Sequence, residues 1–285
     1  MEKTGLMALL LVVIVSMTPF IAATSASAHQ NNVVASRTPD DEHERNINIQ
    51  VRSSNETEIE SEYQDHLAIH FYTEDGISLK LEYNSHTNTT ESEFELHVRF
   101  VTLVELVGNN TVSTIDLTKV QYSSPQVTNI TSSDGATGYR IESHSIGTTY
   151  TFQIIANIYT KFTIVNNTNL DPTEMKITIV IENFPYTQAN SALGLVVNAH
   201  SQAEIHTAES ASGDEGDVEV DTAVTRGYFS WSNSALVDGV MRPVSSSFSA
   251  QGEDHLITLI YPHGTKIVHD PILGVGSLSG LIGML

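Results

Sequence analysis

The chain has 285 residues, of which 40% are hydrophobic and only 16% are charged, so it can bury a sizeable core. Its formal net charge of -21, with no cluster of lysine and arginine, argues against binding to nucleic acid or to anionic lipid headgroups. The absence of cysteine excludes disulfides, thiolate metal sites, cysteine nucleophiles and a lipidated cysteine anchor.

Residues 1–28 have the layout of a cleaved signal peptide. An apolar stretch from Leu6 to Ile21 follows a basic residue, and Ala26-Ser27-Ala28 is a typical cleavage site. His29 is then the first residue of a mature chain exported by general secretion, because neither a twin arginine nor a lipidation cysteine is present. An uncleaved membrane anchor is the alternative, which Pro19 and the short apolar core disfavour.

Residues 29–45 are polar and aperiodic, which predicts a flexible acidic tether. From residue 46 onward, apolar residues alternate with polar ones, and this two-residue period predicts strands. Asp75-Gly76 separates two alternating runs and predicts a tight hairpin. The longest run predicts a central or bent strand, and its inward residues are Phe94, Leu96, Val98, Phe100, Val104 and Leu106.

The stretch from Gly147 to Ala203 contains three consecutive strand-like runs. Loops between alternating runs predict an antiparallel meander with one buried face and one solvated face. The inward residues of the first run are Tyr150, Phe152, Ile154, Ala156, Ile158, Phe162 and Ile164. Those of the second and third runs are Met175, Ile177, Ile179 and Ile181, and Leu193, Leu195, Val197 and Ala199.

The predicted fold is a large antiparallel β-sandwich over residues 46–271. Two smaller sandwiches, divided within residues 108–138, are the alternative. The polar segment 209–221 is predicted as a surface loop. Residues 272–285 are apolar, and they are too few for the about 17 to 25 residues that span a bilayer, so they form either a docked tail or the front of a membrane anchor.

Five glycosylation sequons lie in predicted loops or polar segments, where an exported chain can carry glycans. A chain rich in Asn, Ser and Thr also produces sequons by chance. The candidates are Asn55, Asn88, Asn109, Asn129 and Asn166.

The 12 histidines raise the question of a transition metal. His66 and His70 lie on one predicted strand, about 13 Å apart, which is too far for one zinc ion with bonds of about 2 Å. Two hairpin strands could instead bring together His255, His263, His269 and Asp270, with structural or solvent-facing histidines as the alternative.

Calcium is the other cation considered, because a glycine-containing segment carries several carboxylates. The candidates are Asp214, Asp217 and Asp221, with Glu215 and Glu219 beside them. Their spacing does not match the EF-hand loop, and a solvated acidic loop is the alternative. No other cofactor is predicted.

Sequence motifs for catalysis are absent in the forms tested, which are the nucleophile elbow, the P-loop and the dinucleotide-binding loop. Paired carboxylates for glycoside hydrolysis depend on distance in space, so sequence spacing does not exclude them. Exposed aromatic residues could form a sugar platform, with Tyr186, Tyr228 and Trp231 as candidates, although a single tryptophan is more typical of a core.

Four groups of residues carry a resemblance that covers roughly Thr148 to Gly274. They are Ile181-Glu182-Asn183-Phe184-Pro185-Tyr186, Tyr228-Phe229-Ser230-Trp231-Ser232-Asn233, Val237-Asp238-Gly239, and Tyr261-Pro262-His263 followed by His269-Asp270-Pro271. The combination resembles a group of uncharacterised exported, surface-anchored archaeal β-sandwich proteins. The resemblance implies that residues 272–285 are a shortened membrane anchor, and it implies no activity.

The sequence therefore predicts a secreted or cell-surface β-sandwich protein with a binding or envelope-structural role and no identifiable reaction. Other envelope proteins or glycans are the expected partners, and any membrane attachment would use the N- or C-terminal apolar segment. The alternative is an extracellular hydrolase, carbohydrate-active, that uses paired carboxylates.

Overall fold

The computed structural model describes residues 36–39, 46–53, 65–86, 91–165, 168–209, 215–221, 225–251 and 254–277. These residues belong to one compact unit of antiparallel strands, which confirms the predicted all-β fold. The predicted signal peptide and the sequons at Asn55, Asn88 and Asn166 lie outside the described residues. Within these ranges, no helix is long and apolar enough to cross a membrane.

The first sheet has nine strands. In spatial order they are β1 (Ser36–Pro39), β2 (Asn46–Ser53), β3 (Asp65–Tyr72), β4 (Ser78–His86), β5 (Glu91–Val107), β13 (Ala192–His200), β20 (Asp254–Tyr261) and β19 (Ser245–Gln251), and β6 (Asn110–Asp116) pairs with the second half of β5.

The second sheet has eleven strands and branches at β12 (Glu174–Glu182). One edge of β12 pairs with β9 (Thr151–Tyr159), which continues to β8 (Thr137–His144) and β7 (Gln126–Thr131). The other edge is shared by β21 (Lys266–His269) and β22 (Ile272–Ser277). Beyond β21 lie β17 (Ser234–Val237) and β18 (Val240–Pro243), and beyond β22 lie β16 (Thr225–Ser232), β15 (Glu215–Asp221) and β14 (Ile205–Glu209).

Two smaller elements complete the described structure. β10 (Thr163–Val165) and β11 (Thr168–Leu170) form a separate hairpin, and Leu117–Lys119 forms one turn of 3₁₀ helix. That turn follows β6 of the first sheet and precedes β7 of the second, so residues 108–138, where a domain division was the alternative, carry the chain between the two layers.

The two sheets pack face to face over one continuous core. The Phe100 and Phe152 rings meet edge to face across the layers with their centroids 5.8 Å apart. Gly227 of the second sheet leaves room for Phe94 of the first, because a Cβ at Gly227 would lie 2.2 Å from the Phe94 ring. The alternation in the sequence therefore marks the two inner faces of a sandwich.

The predicted meander is correct for its first two strands and wrong for its third. β9 and β12 are antiparallel neighbours in the second sheet, whereas β13 lies in the first sheet between β5 and β20. The predicted inward residues of β12 and β13 are all buried. Alternation specifies which side of a strand is buried, and it does not specify which strand lies beside it.

The strand β5 is central, which agrees with the predicted central or bent strand, but its inward side changes along its length. The register with β13 shifts between Val196 and Val197, and this irregularity passes over Val101. Beyond it Leu103 and Glu105 are fully buried, so the prediction that Val104 and Leu106 face inward is wrong.

The hairpin predicted at Asp75-Gly76 is present between β3 and β4, with Gly76 in the left-handed region at a φ of 93°. In contrast, Phe162 and Ile164 were predicted to face inward and are 52% and 51% exposed. They lie in and just before the β10–β11 hairpin, which is outside both main sheets.

Three segments that the sequence left without regular structure contribute strands. The predicted tether includes β1, the predicted loop 209–221 includes β15, and the apolar C-terminal segment begins with β22. β22 pairs with both β12 and β16, so Ile272–Ser277 is an internal strand of the second sheet.

Candidate functional site

Three connections meet at one end of the sandwich, and we call them the Tyr186 loop cluster. They are residues 183–191 between β12 and β13, residues 238–239 between β17 and β18, and residues 262–265 between β20 and β21. The Asn183 amide donates to the Thr265 carbonyl over 2.8 Å, and the Asp238 amide donates to the Lys266 carbonyl over 2.8 Å. Three of the four segments that carry the sequence resemblance thus converge here.

The centre of the cluster is a stack of two rings. The Tyr186 and His263 centroids are 3.9 Å apart with an interplanar angle of 28°, and Phe184 packs edge-on against Tyr186. Nδ1 of His263 lies 3.2 Å from the Ser191 carbonyl oxygen. Because a carbonyl can only accept, Nδ1 carries the hydrogen, and Nε2 is the nitrogen that accepts when the ring carries one hydrogen. Burial raises the pKa of Tyr186 to about 12, so its hydroxyl stays protonated.

The loop 183–191 is held by a buried carboxylate. Glu105 is 0% exposed and accepts hydrogen bonds from backbone amides of Thr187 (2.9 Å) and Gln188 (2.8 Å) and from hydroxyls of Thr187 (2.8 Å), Ser191 (2.8 Å) and Ser113 (3.0 Å). Burial raises the pKa of this carboxyl, but the bonds from Thr187, Ser191 and Gln188 outweigh burial and lower the pKa to about 2. An ionised Glu105 therefore fixes the backbone next to Tyr186.

Asp238 fixes the other two loops. Its carboxylate accepts from the backbone amides of Thr265 (3.0 Å) and Lys266 (2.8 Å) and from the Thr265 hydroxyl (2.6 Å), and the Thr265 bond is the main reason that its pKa is lowered. Its φ is 52° and that of Asn183 is 57°, the only left-handed non-glycine residues in the described ranges. Such conformations cost energy and concentrate at functional sites.

Two of the three loops in the cluster are uncharged and rich in hydrogen-bonding groups, and the third contributes the exposed carboxylate of Asp238. Residues 183–191 and 262–265 contain no Asp, Glu, Lys or Arg, although the whole chain has a net charge of -21. The exposed side chains include Thr187, Gln188 and Asn190. This composition, beside a partly exposed aromatic ring, suits a neutral polar ligand.

The structure does not gather the four residues proposed for a transition metal. His255 lies in the first sheet and His269 in the second, where His269 is 1% exposed and both ring nitrogens are bonded, to the Tyr261 hydroxyl (3.0 Å) and the Ser232 carbonyl (2.8 Å). His263 belongs to the Tyr186 loop cluster, and Asp270 pairs with Lys176 at 3.1 Å. No group of three or more metal-ligating side chains is present in the described ranges.

The calcium candidates lie along a strand. Glu215, Asp217, Glu219 and Asp221 alternate with inward residues of β15, at steps of about 6.6 Å, and Asp214 lies outside the described residues. Arg226 donates to Glu219 over 2.8 Å and to Asp221 over 2.9 Å. A row of this kind, shared with a guanidinium group, does not surround a cation as calcium requires.

The three aromatic platform candidates lie in three different places. Tyr186 is in the loop cluster, whereas Trp231 is 2% exposed and packs in the core against Phe229 and Phe248. Tyr228 lies on the outer face of the second sheet, reaches across Gly274 and donates a hydrogen bond to Glu174. Of the three candidates, only Tyr186 therefore lies beside uncharged loops, as a sugar platform requires.

Two sequons lie in described residues, and both asparagines are exposed. Asn109 is in the turn between β5 and β6, as a loop site requires. Asn129 lies on β7, an edge strand of the second sheet, and so is not in a loop.

The sequence analysis missed Glu105, the residue that organises the candidate site. The sequence feature that could have identified it is a carboxylate inside the apolar run Leu103-Val104-Glu105-Leu106-Val107. No protein-family model and no curated protein matches the chain, so the functional argument rests on this geometry.

Proposed function

We propose that this protein is a secreted or cell-surface β-sandwich module that binds a neutral, hydroxyl-rich ligand, with glycans as the ligand class, at the Tyr186 loop cluster. Export is supported by the signal-peptide pattern and by the sequons in the sequence. The ligand class follows from the chemistry of the loops.

The observation that carries the proposal is the fixed orientation of His263. Its Nδ1 is engaged by the Ser191 carbonyl and its ring is stacked on Tyr186, so Nε2 is an acceptor held on an exposed residue. A sugar offers hydroxyl groups that donate to such an acceptor and an apolar ring face that packs on an aromatic side chain.

The ordered loops of the cluster also support a binding role. A site whose loops are already ordered loses less conformational entropy when its ligand binds. Glu105 orders residues 187–191, and Asp238 orders residues 265–266, both through several hydrogen bonds. The binding surface is therefore preorganised by groups beneath it.

A carbohydrate hydrolase is the second candidate, and Glu174 is the residue that favours it. Burial raises the pKa of this half-buried carboxyl, which is the direction required of a general acid, while its bond with Tyr228 opposes the rise. A hydrolase also needs a second carboxylate at about 5 to 10 Å from the first. Release of reducing ends, lost in Glu174→Gln, would select this candidate.

The binding proposal is tested on a glycan array with the tag-free mature chain. We expect Tyr186→Ala to abolish binding and His263→Phe, which keeps an aromatic ring but lacks Nε2, to weaken it roughly ten-fold. His206→Ala, which changes an exposed histidine on β14, is the matched control and should bind normally. Binding that is unchanged in both Tyr186 and His263 variants would overturn the proposal, as would the absence of any glycan binding.

A further inference from the structure

The outer face of the first sheet carries a transverse row of polar residues. Opposite one another on successive strands lie His70 of β3, Lys80 of β4, His97 of β5, His200 of β13 and Asp254 of β20. Directly opposed residues on antiparallel strands have Cβ atoms about 4.5–5.5 Å apart. His97 and His200 are therefore immediate neighbours, although 103 positions separate them in the sequence.

We infer that His97 and His200, which we call the histidine pair, form a binding site for a zinc-type divalent transition-metal ion. Imidazole nitrogen is a preferred ligand of Zn²⁺, Cu²⁺ and Ni²⁺. With two protein ligands, the remaining positions on the ion are taken by water. No group of three or more metal-ligating side chains is present in the described ranges, so the site has only these two protein ligands.

His97 supplies the first donor atom. Its Nε2 is buried and has no hydrogen-bond partner in the described structure, and such an orphaned polar atom calls for a water or an ion. Burial, followed by the charges of Lys80, His200 and Arg99, lowers the pKa of His97. This direction favours the neutral ring, which has a lone pair to offer.

His200 supplies the second donor atom and already has the support that metal-bound histidines use. Its Nδ1 lies 3.3 Å from a carboxylate oxygen of Asp254, and Asn198 donates to the same oxygen over 3.1 Å. A carboxylate beside Nδ1 favours the tautomer with its hydrogen there, which leaves Nε2 as the nitrogen for a metal. This carboxylate–histidine arrangement fixes the ring for a metal.

The two basic side chains nearest the pair, Lys80 and Arg99, each have a partner of their own. Lys80 is neutralised by Glu82 at 2.5 Å and Glu95 at 3.0 Å, and Arg99 donates to the Asp75 carbonyl. Together with Asp254, three carboxylates face two cations on this part of the sheet. These carboxylates offset part of the repulsion that Lys80 and Arg99 exert on a cation at His97, so the two ring nitrogens, and not the local charge, would bind the ion.

The test is zinc titration of the tag-free mature chain by isothermal calorimetry. We expect one zinc equivalent in the wild type, its loss in both His97→Gln and His200→Gln, and its retention in the control His206→Gln. No zinc equivalent in the wild type, or an equivalent that survives either substitution in the pair, would overturn the inference.

A measurement on the unmodified protein covers the case in which the His97 variant does not fold. At one equivalent of zinc, the ring proton resonances of His97 and His200 should shift together in NMR spectra. Shifts confined to other histidines would contradict the inference. Since this site lies on the first sheet and uses none of the Tyr186 loop cluster, either proposal can fail without the other.

Discussion

Tyr261 of the first sheet donates a hydrogen bond over 3.0 Å to Nδ1 of His269 of the second sheet, inside the core. The direction of this bond follows from the hydrogen bond that the other ring nitrogen, Nε2, makes. Nε2 lies 2.8 Å from the Ser232 carbonyl, which can only accept, so Nε2 carries the hydrogen and Nδ1 must accept. The two layers of a protein without disulfides are therefore joined by a polar bridge through a neutral histidine.

Removing the Tyr261 hydroxyl should destabilise the protein. Tyr261→Phe leaves Nδ1 of His269 buried without a donor, which costs about 1–3 kcal/mol of unfolding free energy. Tyr150→Phe is the matched control, because the buried Tyr150 hydroxyl has no hydrogen-bond partner in the described structure. Urea unfolding measures both, and an equal effect of the two substitutions would show that the bridge contributes nothing.

The same histidine makes stability depend on pH. Burial lowers the pKa of His269 to about 4, against about 6.5 in the unfolded chain, and the Ser232 bond and the Asp270 charge offset burial only in part. Between these values the unfolded chain binds more protons, so stability rises with pH from about 4 to about 6.5 and this contribution is complete above 6.5.

The difference of about 2.5 pKa units corresponds to about 3 kcal/mol. In His269→Gln, the gain in unfolding free energy between pH 4 and pH 6.5 should be smaller than in the wild type by about that amount. Denaturant unfolding at several pH values measures it. An unchanged pH dependence would mean that His269 has the same pKa in the folded protein as in the unfolded chain.

Alternation in the sequence identified most of the core, because it follows directly from the two faces of a strand. Met175, Ile177 and Ile179 are 0% exposed, as their parity predicts. The prediction from alternation failed where one extra residue enters a strand. The irregularity near Val101 exchanges the inward and outward sides of β5, so Glu105 lies inside. The sequence around Val101 has no local pattern that marks an extra residue in the strand.

The candidate sites were harder to predict, because they depend on which strands are neighbours. Tyr186 and His263 were each singled out, for a sugar platform and a metal, but their stacking depends on the return of β13 and β20 to the first sheet. His97 and His200 meet for the same reason. Spacing within one strand excludes His66 and His70 as ligands of one ion, and it says nothing about pairs across strands.

Replacement of the buried carboxylate should loosen the Tyr186 loop cluster. In Glu105→Gln, the NH₂ of the new side chain would face hydroxyl and amide groups that now donate to the carboxylate, and two donors cannot bond to each other. We therefore expect a loss of about 2–4 kcal/mol in unfolding free energy. The amide protons of Thr187 and Gln188 should also exchange faster. Glu95→Gln, which breaks a surface ion pair with Lys80, is the control and should cost under about 1 kcal/mol. Equal effects would remove the special role of Glu105.

Gly216 should not tolerate a side chain, because β15 lies against the tryptophan of the core. A Cβ at Gly216 would lie 2.7 Å from Cζ2 of Trp231, whose ring is 2% exposed and has little room to move. Gly216→Ala should therefore lower the unfolding free energy by about 1–3 kcal/mol and change the tryptophan emission. Gly276→Ala is the matched control on β22, since the nearest atom to its Cβ is 3.7 Å away, in the Tyr228 ring. Because the chain has one tryptophan, its fluorescence reports on this site alone. Identical emission and stability in the two variants would contradict the packing of Gly216 on Trp231.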